Sequence, residues 1–312
     1  MRITSIFSIW LISEINFFIF LLTLKIKNKK NKDELVLYFF IQRLARTVLV
    51  FSLILTSIIW CWTPIILLIM IIKMGLAPFH NWYLNILNNL SWRSLWILTI
   101  WMKILYLKIS SLLFNSLIIL FSLINICFRI INLIKEKIIK TFIGISSLFN
   151  MGWILISLDY NYIWFLYLGF YRLNLIILIT LIKKLNIVFI YPKTTHSTTH
   201  LKLIILVILI FMIGVPPFSG FFLKLIIIIN LITYASVISI RILILTIVFI
   251  YYYLIIYFIF YSGTQPNLNF KFSLKRINFS TIIFLNLTIF TPMIILFLIY
   301  YLNNKLKIQP FK

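Results

Sequence analysis

Charged side chains inside apolar segments are the residues of this sequence that could do chemistry. Glu14, Lys73, Lys103 and Lys224 each stand within or beside a long apolar run, and His80 follows Lys73 closely. A charge at the centre of a bilayer costs about 2.5–3.5 kcal/mol even on lenient insertion scales. We therefore expect these side chains to face a bundle interior or a hydrated cavity, where amines and carboxylates can exchange protons.

Glu14 is the one carboxylate in the middle of an apolar run, since the other acidic residues lie at the ends of such runs. It needs a partner, and Lys73 is the candidate. A lysine held between burial and a movable carboxylate can be switched between its charged and neutral forms. Such a pair has the properties that a proton relay requires.

The segment that follows Lys73 carries signals of a broken helix. It reads Lys-Met-Gly-Leu-Ala-Pro-Phe-His and ends at His80. Pro78 lacks the amide hydrogen that a continuous helix would use, so the helix is predicted to break here. The motif recurs as Gly214-Val-Pro-Pro-Phe218, again close to a lysine. Two such interrupted segments in corresponding halves are typical of inverted-repeat transporters with an ion site at the breaks.

Three of these side chains also have interpretations without proton transfer. Lys103 could extend its ammonium to the membrane surface. Lys224 could cap a broken helix, and His80, although titratable near neutral pH, could be an interfacial side chain.

Several arginines also fall within or near apolar runs. Arg129 lies close enough to the end of its run for the guanidinium to extend to the basic side of the membrane. No role is predicted for the others: Arg43, Arg46, Arg172 and Arg241.

Composition excludes several classes of protein. The chain of 312 residues is 63% hydrophobic and 11% charged, with a mean hydropathy of +1.12, which indicates a polytopic membrane protein. The 29 basic residues are scattered between apolar runs, so nucleic-acid binding is not expected. Cys61 and Cys127 are far apart, and His196 and His200 lie in a polar loop without carboxylates. No metal, haem or iron–sulfur site is therefore predicted.

The apolar runs predict an all-α fold of about ten transmembrane helices, each about 20 residues long for a bilayer about 30 Å thick. Basic residues concentrate in the odd-numbered loops, which should face the cytoplasm or mitochondrial matrix, with both termini on the opposite side. The predicted spans are Thr4–Leu24, Leu35–Ile59, Thr63–Phe79, Ser94–Ile109, Leu112–Ile134, Thr141–Leu158, Tyr162–Ile182, Leu201–Ile232, Tyr234–Phe260 and Thr281–Leu302.

Together, these motifs resemble the NADH dehydrogenase subunit 2 family, the antiporter-like membrane subunits of respiratory complex I. The resemblance runs from about Glu14 to Lys224 and continues weakly to the last span. The two proline motifs with their lysines are its most specific part. The matching segments are Ser13-Glu-Ile-Asn16, Lys73 to Trp82, Lys103 one helix later, Ser146-Ser-Leu-Phe-Asn-Met-Gly-Trp153 and Gly214 to Lys224.

The resemblance implies a single transmembrane domain, residues 1–312, built from two inverted antiporter-like repeats with broken helices. The repeats would cover about 4–109 and about 112–260, with a final helix at about 281–302. The first repeat is then one helix short, so that either the true start lies upstream or a neighbouring subunit or lipid fills the gap. Asn150 stands where the family often has histidine, which removes a titratable group from that position.

The resemblance also implies a function and a set of partners. The chain would be a core subunit of proton-translocating NADH:ubiquinone oxidoreductase in the mitochondrial inner membrane. It would contact other membrane-arm subunits, including a neighbouring antiporter-like one, and lipids such as cardiolipin. It would bind no cofactor itself, because NADH, FMN, iron–sulfur clusters and ubiquinone would be bound by other subunits.

Within that family, Glu14 would pair with Lys73, Lys103 would be the central relay lysine, and Lys224 would pass protons onward, with His80 near the same axis. Two alternatives stay open. One is a free-standing cation/proton antiporter of the same fold, and the other is a structural membrane subunit that has lost conduction.

Overall fold

The structure, a computed structural model, describes residues 3–24, 29–56, 63–112, 116–135, 138–159, 163–185, 214, 219–234 and 236–262. The regular elements within these ranges are helical, as predicted. They are α1 (Ile3–Thr23), α2 (Lys29–Thr56), α3 (Thr63–Met74), α4 (Asn81–Asn89), α5 (Trp92–Trp96), α6 (Met102–Leu112), α7 (Ser116–Lys135), α8 (Ile139–Ile156), α9 (Ile163–Leu185), α10 (Ser219–Tyr234) and α11 (Ser236–Ser262).

The chain forms two compact units, Met1–Pro192 and Lys193–Lys312. Helices α1 to α9 belong to the first unit, and α10 and α11 pack against each other in the second. The predicted boundary between two repeats, at about residue 110, falls inside the first unit, and the division into repeats stays a prediction. The predicted final helix at 281–302 lies outside the described residues, as do His196 and His200.

Four helical stretches of the described chain are long and apolar enough to cross a membrane: Val36–Leu55, Trp92–Leu112, Ile139–Ile156 and Ile163–Lys183. They match the second, fourth, sixth and seventh predicted spans. Shorter apolar helices of 10–17 residues accompany them. These helices support a multi-pass membrane protein, and the number of ten spans stays a prediction.

Helix α8 forms the centre of the first unit, since every residue in it except Lys140 is buried. It packs along α7 and also contacts α4 and α9. A Cβ added at Gly144 would lie 2.0 Å from Leu87 Cδ1 of α4, and one at Gly152 would lie 2.8 Å from Ile126 Cγ1 of α7. Small residues at these points allow the helices to approach closely, as in other membrane bundles.

The predicted helix break after Lys73 is confirmed. Helix α3 ends at Met74, and Gly75 adopts a φ of 67°. The Gly75 amide donates to the Ile72 carbonyl at 3.1 Å, and the Leu76 amide donates to the Ile71 carbonyl at 3.0 Å. This is the Schellman arrangement, in which a left-handed residue closes a helix. The chain resumes helical structure in α4, from residue 81 onward.

The second proline motif also contains a left-handed glycine. Gly214 has a φ of 79°, and α10 begins a few residues later, at Ser219. A Cβ added at Gly214 would lie 3.2 Å from Lys224 Cδ, so the lysine side chain passes beside this glycine. Residues 201–213 and 215–218 lie outside the described part of the chain.

Helices α5 and α6 are joined by a π-helical segment, Ile97–Trp101, into one stretch from Trp92 to Leu112. Within it, the Met102 amide donates to the Ile97 carbonyl, five residues back. Such wider turns are frequent at functional sites. Lys103 follows this turn directly.

Replacing Gly75 with alanine should destabilise the fold. A positive φ costs a residue with a side chain about 1–2 kcal/mol, and the new Cβ would lie 2.8 Å from Tyr83 Cβ. Gly169→Ala in α9 is the matched control, because nothing lies within 4 Å of a Cβ added there. Heat-induced loss of the folded chain from solubilised membranes should occur at a lower temperature for Gly75→Ala only. Equal midpoints for the two variants would contradict the requirement for glycine at the break.

Candidate functional site

Lys73 and Lys103 line one internal cavity of the first unit. Its volume is about 10 Å³, which is room for about one water molecule. Both lysines are buried, with 5% and 2% of their surface exposed. The other polar side chains that line the cavity are Tyr38, Gln42, Tyr83 and Tyr106. The two lysines that the sequence singled out in this region therefore share one polar space.

Lys73 lies in the last turn of α3, where the helix ends. Its Nζ is 5.2 Å from the centre of the Tyr106 ring, a cation–π distance. Its backbone carbonyl accepts a hydrogen bond from Gln42 Nε2 of α2 at 3.5 Å. Side chains from α6 and α2 thus hold this lysine at the break.

Lys103 faces the interior and does not extend to the surface. Its Nζ is 4.6 Å from the centre of the Tyr83 ring and 3.4 Å from the Tyr83 hydroxyl. That hydroxyl lies 2.9 Å from Ser147 Oγ of α8. The interpretation of Lys103 as a snorkelling side chain is therefore wrong for this structure, in which 2% of the residue is exposed.

The ion pair of Glu14 corrects one expectation. The Glu14 carboxylate binds the guanidinium of Arg46, from α2, rather than Lys73. Arg46 also stacks over Phe17, with Cζ 4.6 Å from the ring centre. The physical reason is reach and geometry, since α2 packs on α1 and a guanidinium offers several donors to a carboxylate. Lys73 interacts electrostatically with both Glu14 and Arg46, so the expected pair becomes a cluster of three charges.

The backbone groups that the break releases are bound by side chains of α7. Asn125 Oδ1 accepts from the Ala77 amide at 3.1 Å, and Arg129 Nη2 donates to the Gly75 carbonyl at 3.4 Å. Asn125 Oδ1 also accepts from Arg129 Nε at 3.3 Å. Arg129 is fully buried, so its predicted extension to the basic side is wrong. The reason is the Gly75 carbonyl, which has lost its helical partner and needs a donor inside the membrane.

His80 lies between the break and α4 and is 8% exposed. Its Nδ1 is 3.1 Å from the Pro78 carbonyl, to which it must donate, and its Nε2 is 2.8 Å from Asn132 Nδ2, from which it must accept. These hydrogen bonds fit the neutral tautomer protonated at Nδ1. His80 is thus held as a neutral imidazole, and it could take a proton at Nε2 only after the Asn132 amide turns away.

The remaining predicted positions lie elsewhere. Lys224 is in the second unit, on α10, and is 6% exposed. Asn150 is buried in α8, where its Oδ1 accepts from the Tyr167 hydroxyl at 2.9 Å and its Nδ2 donates to the Ser146 carbonyl at 3.0 Å. Asn150 therefore has a structural amide role here. Whether Lys224 continues the relay stays a prediction.

Arg172 and Arg241, for which no role was predicted, have different surroundings in the structure. The Arg172 guanidinium lies over two tryptophan rings, with Cζ 5.2 Å from the centre of Trp96 and 5.8 Å from that of Trp101. Arg241, on α11, is exposed. Neither residue lines the lysine cavity.

Sequence reasoning missed several members of the site. A signal for Arg46 was present, because several arginines compete with the lysines for a single carboxylate in mid-span. Nothing local marks Gln42 or Asn125, whose backbone partners are 31 and 48 residues away in sequence. Tyr83 gave no signal either, since an aromatic residue beside a tryptophan is ordinary core composition.

Comparison with known proteins identifies the relatives of this chain. No family model matches it. NADH-ubiquinone oxidoreductase chain 2 of Anopheles gambiae is 28% identical over 276 residues, covering 83% of this chain and 81% of that one. The same protein of Locusta migratoria is 26% identical over 252 residues, covering 74% and 72%. The chain is a homologue of NADH-ubiquinone oxidoreductase chain 2. This confirms the resemblance drawn from the motifs.

Solved structures share the fold at low identity. A chain of the archaeal membrane-bound sulfane sulfur reductase is similar with a TM-score of 0.78 and 14% identity, covering 92% of this chain and 68% of that one. A chain of respiratory complex I from Thermus thermophilus with bound aureothin gives 0.64 and 17%, covering 75% and 60%. A chain of the Mrp complex from Dietzia sp. DQ12-45-1b gives 0.64 and 14%, covering 74% and 50%. This chain therefore spans 60% of the Thermus thermophilus chain and 50% of the Dietzia chain. The similarity to the three structures shows the fold of this chain.

Replacing Arg46 with methionine should destabilise the first unit by about 3 kcal/mol, because it leaves a mostly buried carboxylate without its partner. Adding Glu14→Gln should recover part of that loss. The midpoints of heat inactivation of the original chain, the two single variants and the double variant form a double-mutant cycle, which gives the coupling between the two side chains. Arg43→Met is the matched control, since Arg43 also lies over Phe17 but is exposed. Strictly additive effects of the Glu14 and Arg46 changes would show that the ion pair contributes nothing.

Proposed function

We propose that this chain is a membrane subunit of respiratory complex I that moves protons through its buried lysines. The observation that carries the proposal is the cavity that Lys73 and Lys103 line together, within a chain homologous to NADH-ubiquinone oxidoreductase chain 2. Buried ionisable residues in a membrane bundle mark ion pathways. The homology indicates the complex to which this chain would belong. The cavity indicates the step, proton transfer, that the chain would perform there.

The cavity supports proton transfer between the two lysines. Its volume suits a single water, which would bridge the two amines and the phenols beside them. Tyr38 contributes a buried hydroxyl that makes no hydrogen bond within the described residues. A proton would leave Lys73, cross this space and reach Lys103.

Glu14 would control that transfer. Its carboxylate binds Arg46 while Lys73 remains within electrostatic reach. Movement of the carboxylate from Arg46 towards Lys73 would favour the charged lysine, and the return movement would favour proton release. Redox chemistry in other subunits would drive this movement, His80 would accept or hold a proton beside the break, and Lys224 would pass protons onward.

The surroundings follow from this assignment. The chain would lie in the mitochondrial inner membrane against other membrane-arm subunits, including a neighbouring antiporter-like one, and lipids such as cardiolipin. It would hold no cofactor, with NADH, FMN, iron–sulfur clusters and ubiquinone bound elsewhere in the complex. The reaction of the whole complex would be proton-translocating NADH:ubiquinone reduction.

A second candidate is a free-standing cation/proton antiporter. The fold shared with a chain of an Mrp complex supports it. Homology to chain 2 along most of both sequences favours the first candidate.

Replacing Lys103 with glutamine should lower the number of protons moved per electron by the complex in proteoliposomes, because the central amine can no longer take up a proton. Lys108→Gln is the matched control, since Lys108 lies on the same helix but is exposed. Proton uptake and NADH oxidation are measured together, and the Lys108 variant should keep the original ratio. An unchanged ratio in the Lys103 variant would contradict the proposed relay.

A further inference from the structure

We propose that Tyr83 sets the proton affinity of Lys103 through a one-way hydrogen-bond chain that ends on α8, and that this chain holds the proton on Lys103 rather than conducting it. Tyr83 is thus a positioning residue. The inference rests on the proposed proton-relay function and specifies which face of Lys103 exchanges protons.

The chain of hydrogen bonds links four groups. Lys103 Nζ lies 3.4 Å from the Tyr83 hydroxyl, which lies 2.9 Å from Ser147 Oγ. Ser147 Oγ in turn lies 2.7 Å from the Gly144 carbonyl. Lys103 and Tyr83 are buried, and so is Ser147, so these bonds form away from water.

The last member fixes the direction of every bond. A carbonyl can only accept, so the Ser147 hydroxyl donates to Gly144. Its single hydrogen is then in use, and the Tyr83 hydroxyl must donate to Ser147 Oγ. The Tyr83 oxygen is therefore left to accept from the Lys103 ammonium.

This direction makes the chain a dead end for proton transfer. A proton passed from Lys103 along it would have to leave from the Gly144 carbonyl, which has no ionisable hydrogen. The chain instead stabilises the ammonium form, since aligned hydrogen bonds polarise one another. Lys103 must therefore gain and lose its proton on the side of the cavity that it shares with Lys73.

The charged groups around Lys103 make this support necessary. Lys73 stands across the cavity, and Arg129 of α7 acts electrostatically on Lys103. Arg129 is a cation, and Lys73 is one while it holds its proton, so both disfavour an ammonium at Lys103. Glu14 of α1, which also packs on α6, is bound to Arg46.

Among the described residues that line the cavity, the other titratable groups near Lys103 are the neutral phenols of Tyr38 and Tyr106. The 3₁₀ turn that packs on α6 ends at Asp159, whose side chain lies outside the described part. Within the described residues, the Tyr83 hydroxyl is the one hydrogen-bond partner of Lys103 Nζ.

Replacing Tyr83 with phenylalanine tests the inference, because it keeps the ring under the ammonium and removes only the hydroxyl. The variant complex is reconstituted in proteoliposomes, and protons moved per electron are measured against pH. Loss of a hydrogen bond to a charged group disfavours the ammonium, so the alkaline limb of the profile should shift to lower pH by about one unit. Ser147→Ala should produce a smaller shift in the same direction.

Tyr167→Phe is the matched control. It removes another buried phenol that bonds to α8, through Asn150, and lies outside the lysine cavity. This variant should keep the original pH profile, which separates loss of a buried hydroxyl in general from loss of the hydroxyl beside Lys103.

The outcomes separate this inference from the proposed function. If Lys103→Gln lowers the ratio but Tyr83→Phe keeps the original pH profile, the inference is overturned and the relay stands. Abolished pumping at every pH in Tyr83→Phe, with the complex assembled, would mean that Tyr83 conducts the proton, which also overturns it. If Tyr83→Phe does not assemble, the Ser147→Ala profile decides: a shift to lower pH supports the inference and an unchanged profile overturns it.

Discussion

A helix that breaks inside a membrane releases backbone groups that water cannot satisfy, and the first unit is arranged around that constraint. Gly75 closes α3, but the Gly75 carbonyl and the Ala77 amide still need partners. Arg129 and Asn125 supply them from α7, while Gln42 of α2 reaches the Lys73 carbonyl. Side chains of two other helices thus hold the break. The lysine at the break is fixed as a consequence.

The same two helices place the polar residues of the site by simple helical spacing. On α2, Tyr38, Gln42 and Arg46 follow one another at intervals of four residues, so they lie on one face. The first lines the cavity, the second binds the break, and the third binds Glu14. On α7, Asn125 and Arg129 share a face in the same way. The same set of side chains therefore supports the helix break and positions the charged groups. The charge cluster is coupled to the geometry of the break in this way.

What could be predicted from the sequence was local. Pro78 and Gly75 mark the break by their own backbone chemistry, and Lys73 and Lys103 are conspicuous because ammonium groups are costly in apolar runs. The partners were not predictable in this way. Arg129 turns inward because a carbonyl 54 residues away lacks a donor, and Glu14 binds Arg46 because α2 packs beside α1. Such choices depend on tertiary packing, which residue types alone do not encode.

The central claim, that this homologue of chain 2 works inside respiratory complex I, is tested most directly by separating the source membranes on a native gel. The gel is stained for NADH oxidation, and this chain is then identified by its peptides in each band. We expect the chain in a large NADH-oxidising band. Its recovery alone, or in a small band without NADH oxidation, would contradict the claim and favour a free-standing antiporter.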